Sequence, residues 1–184
     1  MSLEYAILVS LRERAGSGYE LARRFDKSIG YFWAASHQQI YRSLKRMVDA
    51  GWIDCDQIAQ DKRPDKKVYR VSEDGAAELA RWIGEPAAPS STTRNDLSVK
   101  LRGASFGDTA SVIAELTRHR DMHAERLELY RSIQRRDFPD PSALTGRELH
   151  QHLVLLGGIR VEEAFLAWCQ ESIEALQSDR GGRR

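Results

Sequence analysis

The chain has 184 residues, a net charge of +1, and 41% hydrophobic against 30% charged residues. That length carries one or two domains with a real core, and that composition excludes wholesale disorder. It also lacks the whole-chain basic excess that is the coarse mark of a nucleic-acid binder, so any basic footprint has to be local.

Leu3, Ile7 and Leu11 recur every four residues, with Tyr5 and Leu8 alongside, which predicts an amphipathic helix over about residues 2–14. Ala15-Gly16-Ser17-Gly18 breaks it. Ser17 is placed to cap a second helix carrying Leu21, Ala22 and Phe25 on one face, fading near Ser28-Ile29-Gly30. Tyr31, Phe32 and Trp33 follow, and together with Trp52 they read as aromatic closure of a core. Ser36 with Gln39 three residues on is a capping box, and it opens a helix over Ser36 to Ala50. Ile40, Leu44, Met47 and Val48 share its inner face, and Gly51 stands where a helix-ending glycine belongs.

After Gly51 the period shortens. Trp52 to Ala59 and Lys66 to Ser72 read as two strands, with the polar, turn-rich Gln60 to Asp65 between them. Ser72 caps a further helix containing Ala76, Leu79, Ala80 and Ile83. Pro86, Pro89 and the hydroxyl run to Thr93 mark a linker. Beyond it a short helix is expected over Asn95 to Gly103. A long one follows, from Asp108 to about Arg136, with Val112, Leu116, His119, His123, Leu127 and Tyr130 along one stripe. Phe138-Pro139-Asp140-Pro141 ends it. A last long helix runs from Thr145 to about Gln177, with a bend or close packing expected at Gly157-Gly158.

The overall class is mainly α with a small β-hairpin. The order helix, helix, helix, strand, loop, strand, helix is that of a winged helix-turn-helix, with the third helix as reader. At 100° per residue, Gln38, Arg42 and Lys45 fall together opposite the apolar face, flanked by Tyr41. Arginine can fork onto guanine and glutamine onto adenine in the major groove; lysine and the tyrosine hydroxyl suit phosphate. The hairpin tip adds Lys62, Arg63, Lys66 and Lys67, diluted by Asp61 and Asp65. Residues 1–84 hold 14 Lys and Arg against 12 Asp and Glu, a net of only +2. A winged helix that serves as a protein-interaction adaptor therefore stays open as the alternative.

Several motifs carry a resemblance. Phe32-Trp33-Ala34-Ala35-Ser36-His37-Gln38-Gln39-Ile40-Tyr41-Arg42-Ser43-Leu44 resembles the third-helix signature of the PadR family. Gly18-Tyr19-Glu20-Leu21 is similar to that family's start of helix two. Arg63-Pro64-Asp65-Lys66-Lys67-Val68-Tyr69-Arg70-Val71 resembles its wing, and Gly75 with Leu79-Ala80-Arg81-Trp82 the helix that follows. The C-terminal half resembles, more weakly, the helical dimerisation domain of the PadR-like and AphA-like branch. The resemblance implies a homodimeric regulator, often a repressor, and in some members a sensor of a small-molecule effector.

The expected organisation is a winged-helix domain over residues 1–84, a linker over 85–94, a helical dimerisation domain over 95–178 and a flexible tail over 179–184. The residues expected to face double-stranded DNA are Tyr19, Ser36, His37, Gln38, Gln39, Tyr41, Arg42, Lys45, Lys62, Arg63, Lys66 and Lys67. The apolar residues expected at the homodimer seam are Leu116, Leu127, Tyr130, Leu153, Leu156, Ile159, Leu166 and Ile173. Trp168 fits either that seam or a ligand cavity.

Nothing in the sequence supports an enzyme. It lacks a nucleophile elbow, a Gly-rich phosphate loop and a paired-carboxylate motif. His119 and His123 have the i, i+4 spacing of a metal pair, and His150 and His152 lie on another helix. No Cys or carboxylate cluster completes a site, so packed histidines are expected, with neither metal nor cofactor. Cys55 and Cys169 are far apart and read as reduced thiols. No apolar run has membrane-spanning length, and Glu4 stands where a signal peptide would carry positive charge. A cytoplasmic protein without a membrane partner is the expectation.

Overall fold

A computed structural model of the chain describes residues 2–27, 35–60, 63–86 and 96–181. The chain divides into two compact units, Met1–Pro89 and Ser90–Arg184. Tyr31, Phe32, Trp33, Lys62 and most of the expected linker lie outside the described residues.

The first unit comprises α1 (Ser2–Glu13), α2 (Gly18–Lys27), α3 (His37–Asp49), β1 (Ile53–Gln60), β2 (Arg63–Val71) and α4 (Glu73–Ile83). The apolar stripes of the helices meet in one core. Ile7, Leu8 and Leu11 of α1 pack with Leu21, Ala22 and Phe25 of α2 and with Ile40, Leu44 and Met47 of α3; Ile53 and Leu79 close the side. Leaving water contributes roughly 1.5–3 kcal/mol for each of the larger side chains. Tyr5 is buried in this core, and Trp52 is half-buried against it. The Tyr5 ring stacks on Trp82 at 4.4 Å and its hydroxyl donates to Glu78 at 2.6 Å. Gly75 lets α4 run against the start of β1, because a Cβ there would overlap the Trp52 carbonyl.

Two expectations for this unit need correcting. Val48 is 37% exposed, and Ser43 takes the fourth buried place on α3. An i, i+4, i+7, i+8 pattern spans a wide arc, and the core is too small to cover its margin. The hairpin is also longer than its apolar segments. β2 begins at Arg63, and pairing runs from Ile53 opposite Val71 to Gln60 opposite Arg63, with a register shift between Ile58 and Gln60. Backbone pairing in a two-stranded ribbon does not require apolar side chains. Pro64 falls at the irregular end, where a missing N–H costs no ladder bond.

The wing is tied back to the helices. Gly16 and Tyr69 exchange two backbone hydrogen bonds, 3.1 and 2.9 Å long, which adds a one-residue third strand to the hairpin.

The second unit comprises α5 (Asp96–Arg102), a short 3₁₀ turn (Ala104–Phe106), α6 (Thr109–Asp137), a second 3₁₀ turn (Pro141–Ala143) and α7 (Gly146–Gly181). Asp108 caps α6, accepting from the backbone of Ala110 and Ser111. Helices α6 and α7 form an antiparallel pair: Arg120 meets Gln170, His123 meets Glu162, and Gln134 meets His152. Val112, Leu116, His119, His123, Leu127 and Tyr130 all line its inner side, as their spacing predicts. Helix α7 passes Gly157 and Gly158 unbroken. Gly158 is a close-packing site, since a Cβ would stand 3.1 Å from the Tyr130 ring. The helix also runs past Gln177, so residues 179–181 of the expected tail continue it. Trp168 packs in this unit's core, edge-on to Phe165 at 5.1 Å. Among the described residues, no helix is long and apolar enough to cross a membrane.

Candidate nucleic-acid interface

Helix α3 owes its start to Ser36. The Ser36 hydroxyl accepts the Gln39 N–H at 3.2 Å, and the Gln39 side-chain oxygen accepts the Ser36 N–H at 2.8 Å. Both side chains were expected to face DNA; in the free protein both hold the helix end. The helix ends on Gly51, whose φ of +73° is the left-handed conformation that follows a helix terminus. Ser36→Ala is expected to lower stability by about 1 kcal/mol, with the loss read as a shifted denaturant midpoint at unchanged slope.

Gln38, Arg42 and Lys45 project from the other side. All three are exposed, and none makes a side-chain hydrogen bond or ion pair among the described residues. They are the free polar stripe that the sequence predicts. Arg46, next to Lys45, is not part of it: it is bound to Glu4 of α1 and donates to Ser43 at 2.9 Å. His37 lies at the helix start with Nε2 3.1 Å from Asp26 of α2.

Tyr41 packs over the start of α2. A Cβ at Gly18 would overlap its ring, so Gly18 is the residue that lets the two helices of the motif approach here. Half of the ring stays exposed. Tyr19 is exposed one residue further on, with the Arg23 guanidinium 5.9 Å from its ring centroid. Arg23 escaped the sequence reading, although its i, i+4 spacing from Tyr19 is the signal for such a contact.

The wing cations divide. Lys67 is exposed and unpaired among the described residues. Lys66 is bound to Glu20 of α2 at 3.0 Å. Arg70 is bound to Asp56 across the hairpin. Arg63 lies on the tip end of β2, and its side chain and all of Lys62 fall outside what is described. Glu20 is held from three sides, by the Ser17 N–H at 2.7 Å, the Ser17 hydroxyl at 2.9 Å and Lys66. These bonds, the Ser17 backbone first, bring its carboxyl down to about 2. Because its ordinary value is 4.5, its stabilising contribution is complete above that pH and is lost as pH falls towards 2.

The residues expected at a dimer seam divide in this structure. Leu116, Leu127, Tyr130, Ile159 and Ile173 are buried within one chain, between α6 and α7, and Leu156 and Leu166 are half-buried. The stripe on α6 therefore finds its cover in cis. Leu153 alone of the eight is exposed, at 52%, and it shares α7 with Val154 at 48% and Val161 at 64%. Between the helices Glu162 is 4% exposed, bonded to His123 and reached by Arg126 at 3.4 Å, while Phe165 stacks on the His123 ring at 4.1 Å. These partners make His123 a packed member of the helix seam, and His152 is buried against Phe138, whereas His150 is exposed.

A capped reading helix with a free polar face, seated on a preceding helix and flanked by a tethered hairpin, is a winged helix-turn-helix of the DNA-binding class. Residues 7–81 match the transcriptional regulator PadR-like family, and residues 93–177 match the family described as virulence activator alpha C-term. The chain is 54% identical, over 98% of its length and all of the relative's, to "Probable transcriptional regulator Rv1176c" of Mycobacterium tuberculosis. It is 25% identical to the negative transcriptional regulator PadR of Bacillus subtilis, over 96% of this chain and 98% of that one. Among solved structures it is similar to the Vibrio cholerae virulence activator AphA, with TM-score 0.79, 28% identity and coverage of 96% and 98% of the two chains. It also shares the fold of Bacillus subtilis PadR in complex with operator DNA, with TM-score 0.84, 24% identity and coverage of 95% and 97%. The chain belongs to the PadR family of transcriptional regulators, and it is a regulator rather than an enzyme.

Proposed function

We propose that this regulator acts in the cytoplasm as a homodimeric repressor that sets its two α3 helices into successive major grooves of a palindromic operator. The observation that carries this reading is the outward face of α3. Gln38, Arg42 and Lys45 are exposed and unspent on a helix whose ends and inner face are fully engaged elsewhere. Gln38 and Arg42, nearest the helix N-terminus, read bases. Lys45, Tyr41, Tyr19 and the wing residues Lys62, Arg63 and Lys67 hold the backbone. Repression is supported by the negative regulator among the relatives. Two-fold symmetry is supported by the uncovered apolar residues on α7, which a second copy would bury. A small-molecule effector is supported by Bacillus subtilis PadR, whose structure is also solved in complex with p-coumaric acid.

Selection of duplexes from a random pool by the purified protein tests this directly. A palindromic consensus is expected. Affinity for the selected duplex should fall with salt, log K dropping by roughly 0.9 per phosphate neutralised for each unit of log salt. A protein that retains no duplex even at low salt would be an adaptor, and the reading would fall.

A further inference from the structure

One cation of the wing is already neutralised by its own protein. Lys66 stands on β2 in the sequence run that also carries Lys67, and by composition the two are equivalent. By geometry they are not. Lys67 is exposed and unpaired among the described residues, whereas Lys66 Nζ donates to Glu20 Oε1 at 3.0 Å. Glu20 is held in place by two further bonds. Its other oxygen accepts from both the Ser17 N–H and the Ser17 hydroxyl, and Ser17 in turn caps α2 by accepting the Glu20 N–H at 3.3 Å. The two backbone bonds between Gly16 and Tyr69 fix the strand and the turn at the same place, three residues from Lys66 and one from Ser17. Arg24, another cation near this turn, donates to the Ser10 carbonyl at 2.8 Å and to the Arg14 carbonyl, so it too is held inward.

Glu20 and Ser17 close a capping box at the start of α2: the Glu20 carboxylate takes the Ser17 N–H, and the Ser17 hydroxyl takes the Glu20 N–H. The depressed carboxyl of Glu20 keeps it ionised at every pH at which the protein would meet DNA.

We propose that Glu20 is the resident counter-ion of Lys66, a positioning residue that braces the wing against α2 and withholds Lys66 from the phosphate backbone. The wing then meets DNA through Lys67 and the tip residues. The consequence is a weaker grip on any duplex. A cation paired within the protein releases no counterions from DNA, so it adds nothing to sequence-independent binding. Operator and random affinity are lowered alike, and discrimination between them is left to the outward face of α3. This inference rests on the DNA-binding reading above.

The test measures the salt dependence of binding to a random-sequence duplex with the full-length protein. Glu20→Gln removes the counter-ion and frees Lys66. Its log K against log salt is expected to be steeper than wild type by about 0.9, with tighter random binding at low salt. Adding Lys66→Ala to Glu20→Gln should return the slope to the wild-type value. An unchanged slope in Glu20→Gln overturns the proposal. So does a double variant shallower than wild type by about 0.9, which would mean that Lys66 already contacts phosphate. A second measurement needs no variant. In the wild-type protein, added duplex should protect Lys67 from reductive methylation and leave the reactivity of Lys66 unchanged, as read by mass spectrometry. Equal protection of both would overturn the proposal even if Glu20→Gln does not fold. If wild type binds no duplex, the DNA-binding reading itself fails, an outcome distinct from wild-type binding with the wrong slopes.

Discussion

Val161→Glu is expected to turn a dimer into a monomer in light scattering and to weaken operator binding by about two orders of magnitude or more. Helix α7 has 36 residues, about 54 Å of length, and one side of it is covered by α6. On the side facing away lie Leu153, Val154, Gly157, Val161 and Ala164, all exposed. At 100° per residue they fall within one arc. Exposed apolar side chains this close together on one helix are what a second copy would cover. Glutamate within that arc would place carboxylates from two copies in a desolvated seam. Each protomer would keep its fold, because Val161 is 64% exposed and supports nothing inside the chain. Operator affinity would fall because a dimer holds the second half-site at high effective concentration, worth about 10²–10⁴ in avidity. A Val161→Glu protein that stays dimeric would place the seam elsewhere.

Arg42→Ala is expected to cost roughly 1–3 kcal/mol at each contacted half-site and to relax the base preference at one position of each. Arg42 is free on α3, so no internal bond is lost with it. The measurement is affinity for the selected duplex, for single-base variants of it and for random duplex at fixed salt. Equal weakening on all of them would make Arg42 a phosphate anchor.

How much could be read from the sequence follows from the range of the interactions. The Ser36–Gln39 box, the Ser17 and Ser72 caps and Gly51 are contacts within four residues, and all stand as their spacing predicts. The inward stripe of α6 was equally legible, since periodicity reports that a face is covered. It does not report by what. The cover proved to be α7 of the same chain, which leaves Leu153 of the expected α7 residues, joined by Val154 and Val161, for a partner. Val48 failed at the margin of a pattern whose centre was right. Least visible were pairs joined by tertiary approach: Lys66 with Glu20, His37 with Asp26, Arg46 with Glu4. Each looks in sequence like a free charge, and the contacting residues lie 46, 11 and 42 positions apart.

The separation of the two faces of α3 bears on how such a regulator changes targets. Gln38, Arg42 and Lys45 are exposed and make no side-chain hydrogen bond or ion pair among the described residues. Substitutions there should stay within about ±0.5 kcal/mol of the parent in stability. A lineage can therefore drift in operator preference without passing through unfolded intermediates, and a library randomised at these three positions should remain largely folded. Tyr41 is bound by a different rule. Its ring rests on Gly18, so a side chain added at Gly18 must be matched by a shift or a smaller residue at Tyr41, and retargeting should proceed around Gly18 and seldom through it.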